Sequence, residues 1–365
     1  MIVNLKSQTD LSGFYVVYEG AANLEEKGQY GISHLIEHLM TTDLLSKGEK
    51  LVKSGVEFNA ETSQNEVTFY LTGLEKNLAR WREPLLRSLS KLNYSEDTFQ
   101  TQKSVVLTEY SQDFSGLETT HFWNVSRDIF DVYGPLGLKK DLESLTLKQC
   151  LDCYSSRFAK PSKIINISKN FEYKDNSIQF DTQKAKKKIE RGDYDAPLEM
   201  ADFSDEMTSI ICFSPIIEED FAYVDFINSL LSDSLSFPLF REIRNKGLAY
   251  ELSLNQRRIN NQGISDLTVP VSKENVWKTI GTIRKVLNNP KRLFTERRID
   301  AVKSSLKAQQ EKEEILRFMC VEEYIDPPEW NVYSILPEVN LDRIKEVYDK
   351  YFDFDAWHTS YCPSD

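Results

Sequence analysis

Hydrophobic and polar positions along the 365-residue chain fall into two successive series of similar order. In the first half, Phe14 to Glu19 reads as a strand and leads into an apolar helix around His34. A second strand runs through Glu66 to Gly73, and Leu78, Trp81, Leu85, Leu89 and Leu92 then mark one face of a helix. The second half follows with a strand near Ser209 to Phe213, helices, paired strands near Tyr250 and Leu267, and a helix marked by Val276, Trp277, Ile280 and Ile283. Element order therefore predicts an α+β protein with two similar-looking domains, each a mainly antiparallel sheet packed with helices on one face.

A chain this long exceeds one ordinary core, which supports the division. The stretch Gln183 to Asp193 is polar, strongly basic and without either hydrophobic period. It is expected to be a linker between a domain spanning 1–182 and another spanning 194–365, and the lysines from 184 to 188 read as its solvated surface. A net charge of -12 argues against nucleic acid as a partner, since phosphate binding is driven by clustered Lys and Arg. Peptides or small molecules fit better. No apolar run is long enough to cross a membrane, and the first residues, MIVNLKSQTD, lack the apolar core of a signal peptide, so the expected location is cytoplasmic. Five scattered cysteines do not make the disulfide framework of a secreted domain. Cys150 and Cys153 form a Cys-x-x-Cys pair with no second pair to accompany it, and read as structural thiols on an amphipathic helix.

The chemistry concentrates in Gly31-Ile-Ser-His34-Leu-Ile-Glu37-His38-Leu-Met40. Residues four apart on a helix share one face, so His34 and His38 can aim two imidazoles at one metal, with Glu37 beside them. A catalytic zinc takes three protein ligands and leaves a position for water, whose proton a neighbouring carboxylate can accept. Glu37 is the candidate base. The competing reading is a pair of hydrogen-bonded core histidines. Of the four histidines, His121 and His358 lack such a setting. The third ligand must come from another element. Ser95 to Gln112 reads as a helix capped by its serine, and Glu109 on it is the chosen candidate, although spacing alone does not separate it from other glutamates.

Together these residues resemble the pitrilysin and mitochondrial processing peptidase superfamily, the His-x-x-Glu-His zinc peptidases. The resemblance extends to Glu26-Lys-Gly-Gln-Tyr-Gly31 before the zinc helix and to the strand Gly55-Val-Glu-Phe-Asn59-Ala60-Glu-Thr62-Ser63 after it. It further covers Val105-Val-Leu-Thr-Glu109 and Phe240-Arg241-Glu-Ile-Arg244-Asn-Lys-Gly247-Leu-Ala-Tyr250. It implies zinc held by His34, His38 and Glu109, a cleft lined by Asn59 and Ala60, and substrate backbone or carboxylate held by Arg244 and Tyr250, with Arg241 able to replace Arg244. Gln102 stands where family members often carry a glutamate that supports the site from behind its ligands.

The implied activity is a zinc endopeptidase acting on peptides or unfolded segments as a homodimer or with a related second subunit. The second half would be a substrate-binding domain without ligands of its own. The superfamily also contains non-catalytic interaction or assembly subunits and chains that need a partner, and both classes stay open. The same ligand set also suits manganese or cobalt.

Overall fold

The computed structural model describes residues 1–361 apart from 93, 114–121, 124–125, 128–131, 182–198, 201–206, 233–237, 260–261, 290–293 and 316–330. The expected linker and His121 lie outside the described residues. The described chain groups into two compact units, one built mainly from 1–113 and 133–181, the other mainly from 199–311 and 331–361. Residues 122–123 and 126–127 group with the second unit, and 312–315 with the first.

The first unit carries β1 (Ile2–Lys6), β2 (Leu11–Glu19), β3 (Val56–Thr62), β4 (Glu66–Leu74) and β5 (Lys163–Ser168) in the order β1-β5-β2-β4-β3. All neighbours are antiparallel except β1 and β5. The position of each strand follows from its pattern. Phe14 to Tyr18 of β2 are all buried, as a central strand requires, whereas β3 at the edge alternates between buried Val56 and exposed Glu57, Asn59 and Glu61. The helices are α1 (Ile32–Leu45), α2 (Gly48–Lys53), α3 (Glu75–Leu89), α4 (Glu96–Asp113), α5 (Lys139–Ser144) and α6 (Leu147–Cys153). Leu78, Trp81, Leu85 and Leu89 form the buried face of α3, while Leu92 is buried just beyond its end. Cys150 and Cys153 on α6 are buried free thiols, and Arg157 donates to the Cys153 sulfur at 2.7 Å.

The second unit holds β6 (Glu199–Met200), β7 (Met207–Ile216), β8 (Ser253–Ile259), β9 (Gln262–Ser272) and β10 (His358–Tyr361), ordered β6-β10-β7-β9-β8. Again only one pair, β6 with β10, is parallel. Its helices are α7 (Phe221–Ser232), α8 (Pro238–Asn245), α9 (Val276–Leu287), α10 (Glu296–Ile315), α11 (Val332–Ile335) and α12 (Leu341–Tyr351). The expected α+β architecture, two similar sheets each packed with helices, is therefore the observed one. One expected core residue is not in the core: Trp277 is 62% exposed, edge-on to Tyr361. Val276, Ile280, Ile283 and Leu287 set the buried face of α9, and a side chain one residue after Val276 is rotated about 100° from it. Among the described residues no helix is long and apolar enough to cross a membrane.

Candidate metal centre

The centre is built on α1, which packs against α3, α4 and β3. Ile32, Leu35, Ile36, Leu39 and Met40 are fully buried, and the hydroxyl of Ser88 on α3 donates to the Met40 carbonyl at 2.8 Å. That anchorage leaves one stripe of the helix, His34, Glu37 and His38, for polar work. Glu109 arrives on α4. Ser95 caps this helix by accepting from the Thr98 amide at 3.2 Å, and buried Phe99 and Val106 hold its inner face. Lys103 donates to the Leu145 carbonyl at 2.9 Å, tying α4 to the chain that follows α5.

The three ligand candidates meet. The Nε2 atoms of His34 and His38 are 3.2 Å apart, and Oε2 of Glu109 lies 3.4 Å from the first and 3.3 Å from the second. A proton on one nitrogen satisfies one edge of this triangle, whereas a cation near its centre satisfies all three. Tetrahedral zinc with bonds of about 2.0–2.1 Å sets ligand atoms about 3.3–3.4 Å apart. The donor set therefore fits zinc in both chemistry and spacing. Burial, with His38 beside it, pushes His34 down to about 3, so its imidazole is neutral, the form a metal needs. Its Nδ1 atom is buried without a hydrogen-bond partner among the described residues.

Glu37 is 8% exposed, and its Oε2 lies 4.0 Å from His34 Nε2, beside the triangle and outside it. Burial pushes its carboxyl up to about 7; the hydroxyl of Thr62 opposes this, and the charges of Glu109 and Glu61 add to it. Thr62 Oγ1 donates to Glu37 Oε2 at 2.9 Å. Thr62 lies in the strand that carries the resemblance, and only the folded chain, which closes a separation of 25 residues, brings it to Glu37.

Alternation along β3 separates the two expected cleft residues. Ala60 shares the face of Val56, Phe58 and Thr62, which packs into the α1 cluster, and Asn59 takes the opposite, exposed face. Asn59 donates to the Tyr70 hydroxyl at 3.0 Å and accepts from the Ala60 amide at 3.0 Å. Its side chain is therefore not aimed at α1. Gln102 lies two turns before Glu109 on α4, half-buried and without a hydrogen bond among the described residues.

The chain enters α1 through a residue that the motif does not include. Glu25, 4% exposed, accepts from the Gly31 amide at 2.6 Å and from the Ser33 amide at 2.8 Å. Asp141 on α5, 5% exposed, accepts from the Tyr30 amide at 3.2 Å. Nothing local in the sequence flags either contact.

In the second unit, α8 ends in a paired turn in which the Leu248 amide donates to the Ile243 carbonyl at 3.1 Å and the Gly247 amide to the Arg244 carbonyl at 3.0 Å. Gly247 supplies the left-handed residue this turn needs, with φ of 64°. The turn brings Arg244 back over the Tyr250 ring, 4.6 Å from its centroid. Tyr250, 76% exposed, precedes the strand it was expected to join, since β8 begins at Ser253. Both residues line an open pocket of about 490 Å³ with Pro270, Val271 and Asn275. Arg241 lies one turn earlier on α8, also exposed.

Residues 200–306 match a family model described as the peptidase M16 inactive domain. A zinc protease of Helicobacter pylori, PqqE, is 29% identical over 176 residues, and the match spans 45% of this chain and 39% of that protein. Among solved structures, a protease from Helicobacter pylori superposes with a TM-score of 0.82 at 16% identity, over 99% of this chain and 96% of the other. The peptidase M16 inactive domain from Pseudomonas fluorescens does so at 0.80 and 14%, over 100% and 95%. At such identities the structural likenesses show the fold.

Proposed function

The chain belongs to the M16, pitrilysin-like peptidase superfamily, and from that premise we propose that it is a zinc endopeptidase for peptides or unfolded segments. The observation that carries this reading is the triangle of His34, His38 and Glu109 atoms, 3.2–3.4 Å on each side, with an unligated buried carboxylate beside it. A divalent ion held there supplies Lewis acidity to a water and to a scissile carbonyl. The remaining work falls to the chain. Glu37 takes a proton from the attacking water and returns it to the leaving amine, as the bond between carbonyl carbon and nitrogen breaks. Thr62 holds that carboxylate in place. The free edge of β3, at Asn59 and Ala60, takes an extended peptide by strand addition, which reads main chain and not sequence. Arg244 and Tyr250 offer a cation and an aromatic face for substrate backbone or its terminal carboxylate. In this reading the first unit is catalytic and the second binds substrate, in a homodimer or beside a related subunit.

A second reading has its own support. The matched family model describes an inactive domain and covers the half without histidine ligands, and Gln102 lacks the charge usual at its position. A silent or partner-dependent subunit would have the same fold. The deciding experiment measures zinc content and cleavage of a mixed quenched-fluorescence peptide library for the purified chain and for Glu37→Gln. Zinc in both, with cleavage by the wild type alone, supports the peptidase. Zinc in both with no cleavage by either moves the conclusion to the subunit reading. Sedimentation that finds only monomer under active conditions would remove the homodimer.

A further inference from the structure

A short polar side chain at the N-cap is the preferred way to cap a helix, and α1 cannot be capped so. Its N-cap is Gly31, at φ of 96°, and a Cβ there would sit 2.7 Å from the Leu136 carbonyl oxygen and 2.8 Å from a Leu142 methyl. Gly137 presses against Tyr30 and Gly31 so closely that it has no room for a side chain either. Three amides at or just before the start of the helix, those of Tyr30, Gly31 and Ser33, are instead met by side chains from outside it. Glu25 gives one oxygen to Gly31 and the other to Ser33, and Asp141 meets Tyr30 from 111 residues away. Two carboxylates buried at the positive end of one helix are costly unless hydrogen-bonded, and here Glu25 accepts two backbone N–H donors and Asp141 one.

Their place bears on the metal. Ser33 directly precedes His34, and among the described residues the His34 ring has no hydrogen bond at Nδ1 to aim it. Metal-ligating histidines are ordinarily oriented by a partner on the other ring nitrogen. We propose that Glu25, with Asp141, is a carboxylate clamp that fixes the first turn of α1 and thereby aims His34 at the metal, replacing the missing partner on its ring. Both are positioning residues and touch no reacting atom. The proposal rests on the metal centre proposed above.

The test measures zinc affinity by chelator competition and the visible spectrum of the cobalt form, for wild type, Glu25→Gln, Asp141→Asn and Ile167→Ala. Gln keeps the shape of Glu25 but turns an NH2 group toward one of the two amides. Ile167 is buried on β5 outside the cluster that packs α1, so its truncation lowers stability without touching the clamp. Glu25→Gln is expected to weaken zinc about 10–100-fold, the range for groups that orient a ligand, and to shift the cobalt bands. Asp141→Asn shifts affinity the same way by a smaller factor, and Ile167→Ala binds as wild type. A folded Glu25→Gln with wild-type affinity and spectrum overturns the clamp, as does equal weakening by Ile167→Ala. Should Glu25→Gln not fold, unchanged affinity in Asp141→Asn overturns it. Failure of the wild type itself to bind zinc overturns the metal centre and the clamp together, which separates that outcome from failure of the clamp alone.

Discussion

The helix that follows β2 and the helix that follows β7 are equivalent elements of two sheets with matching strand order, each packed against an edge strand, β3 or β8. Within its buried stretch α1 carries His34 and Glu37, with His38 half-buried beside them. Along α7 the buried side chains are apolar, Val224, Phe226, Ile227, Leu230 and Leu231 among them, or neutral, as with Asn228 and Ser229. The second unit shows that this scaffold closes a core with no buried ionisable side chain within that helix, Asp220 lying just ahead of it. Those on α1 are therefore not demanded by folding. They carry a desolvation cost, and a titratable cluster kept at such a cost points to chemistry.

The sharpest way to break this comparison is to make α1 more like α7. His38→Ala should lose both bound zinc and cleavage. Glu37→Gln should keep zinc and lose about 10²–10⁴-fold in rate, the usual contribution of a general base. Asn228→Ala, on α7, should change neither. Metal analysis beside kcat for the three variants checks this, and zinc loss in Glu37→Gln would show that the carboxylate is a ligand and not a base.

Between about pH 4.5 and 7, where the two raised glutamates outweigh one lowered histidine, the two units should also respond to pH in opposite directions when metal is absent. Burial raises Glu25 and Glu37 to about 7 from an ordinary 4.5. Each binds its proton more tightly folded than unfolded, so their stabilisation is full below pH 4.5 and is lost as pH climbs through about 7. His34, lowered to about 3 by burial, works against them by losing stability as pH falls below 6.5. The loss is at most about 3 kcal/mol per group. In the second unit, burial alone would raise Asp220, but hydrogen bonds from Lys350 and Tyr351 and the charges of Lys350 and Arg343 hold it below 3.8. Its stabilisation is present above that value and is lost as pH falls through the lowered one. His358, lowered by burial and with neither ring nitrogen bonded among the described residues, adds a loss below pH 6.5. Hydrogen exchange followed by peptide at several pH values reads each unit separately; the same sign in both would refute the assignment. Zinc should flatten the response of the first unit, because a cation favours the ionised form of Glu37.

How much of this was legible in the sequence depended on distance along the chain. His34, Glu37 and His38 were readable because a helix turns local spacing into one face. The two-sheet architecture was readable because both halves present their strands and helices in similar order. Glu109 came from resemblance, since nothing in its spacing distinguishes it until α4 packs on α1. Thr62, Glu25 and Asp141 were not readable as site residues, because their partners are chosen by strand register and by a loop that closes over Gly31. Trp277 was misplaced because an aromatic beside Val276 fits a helical stripe in sequence while pointing off it in space.

A smaller effect tests how the second unit holds its own helix. Asp220 joins the start of α7 to α12 through Arg343 at 2.6 Å, Lys350 at 2.7 Å and Tyr351 at 2.7 Å. Asp220→Asn should cost about 2 kcal/mol, the range for hydrogen bonds to a charged group, discounted because Lys350 is 48% exposed. Denaturant unfolding measures it. Zinc affinity should not move, and a fall in affinity would mean that the units are not independent in stability.

The smallest expected effect lies closest to the chemistry. Thr62 Oγ1 donates to Glu37 Oε2, and a donated hydrogen bond favours the ionised carboxylate that a base must be. Thr62→Val keeps the branched shape that suits β3 and removes the donor. The acidic limb of kcat/KM should then move up by about one pH unit, for a hydrogen bond worth about 1.5 kcal/mol. At neutral pH the rate falls about tenfold or less, while the plateau at higher pH and the zinc content stay at wild-type values. A pH profile separates this from damage to the base itself. If the plateau drops as far as in Glu37→Gln, the threonine does more than tune a proton; if the limb moves down, the hydroxyl was stabilising the neutral acid and Glu37 would have to act from its protonated form.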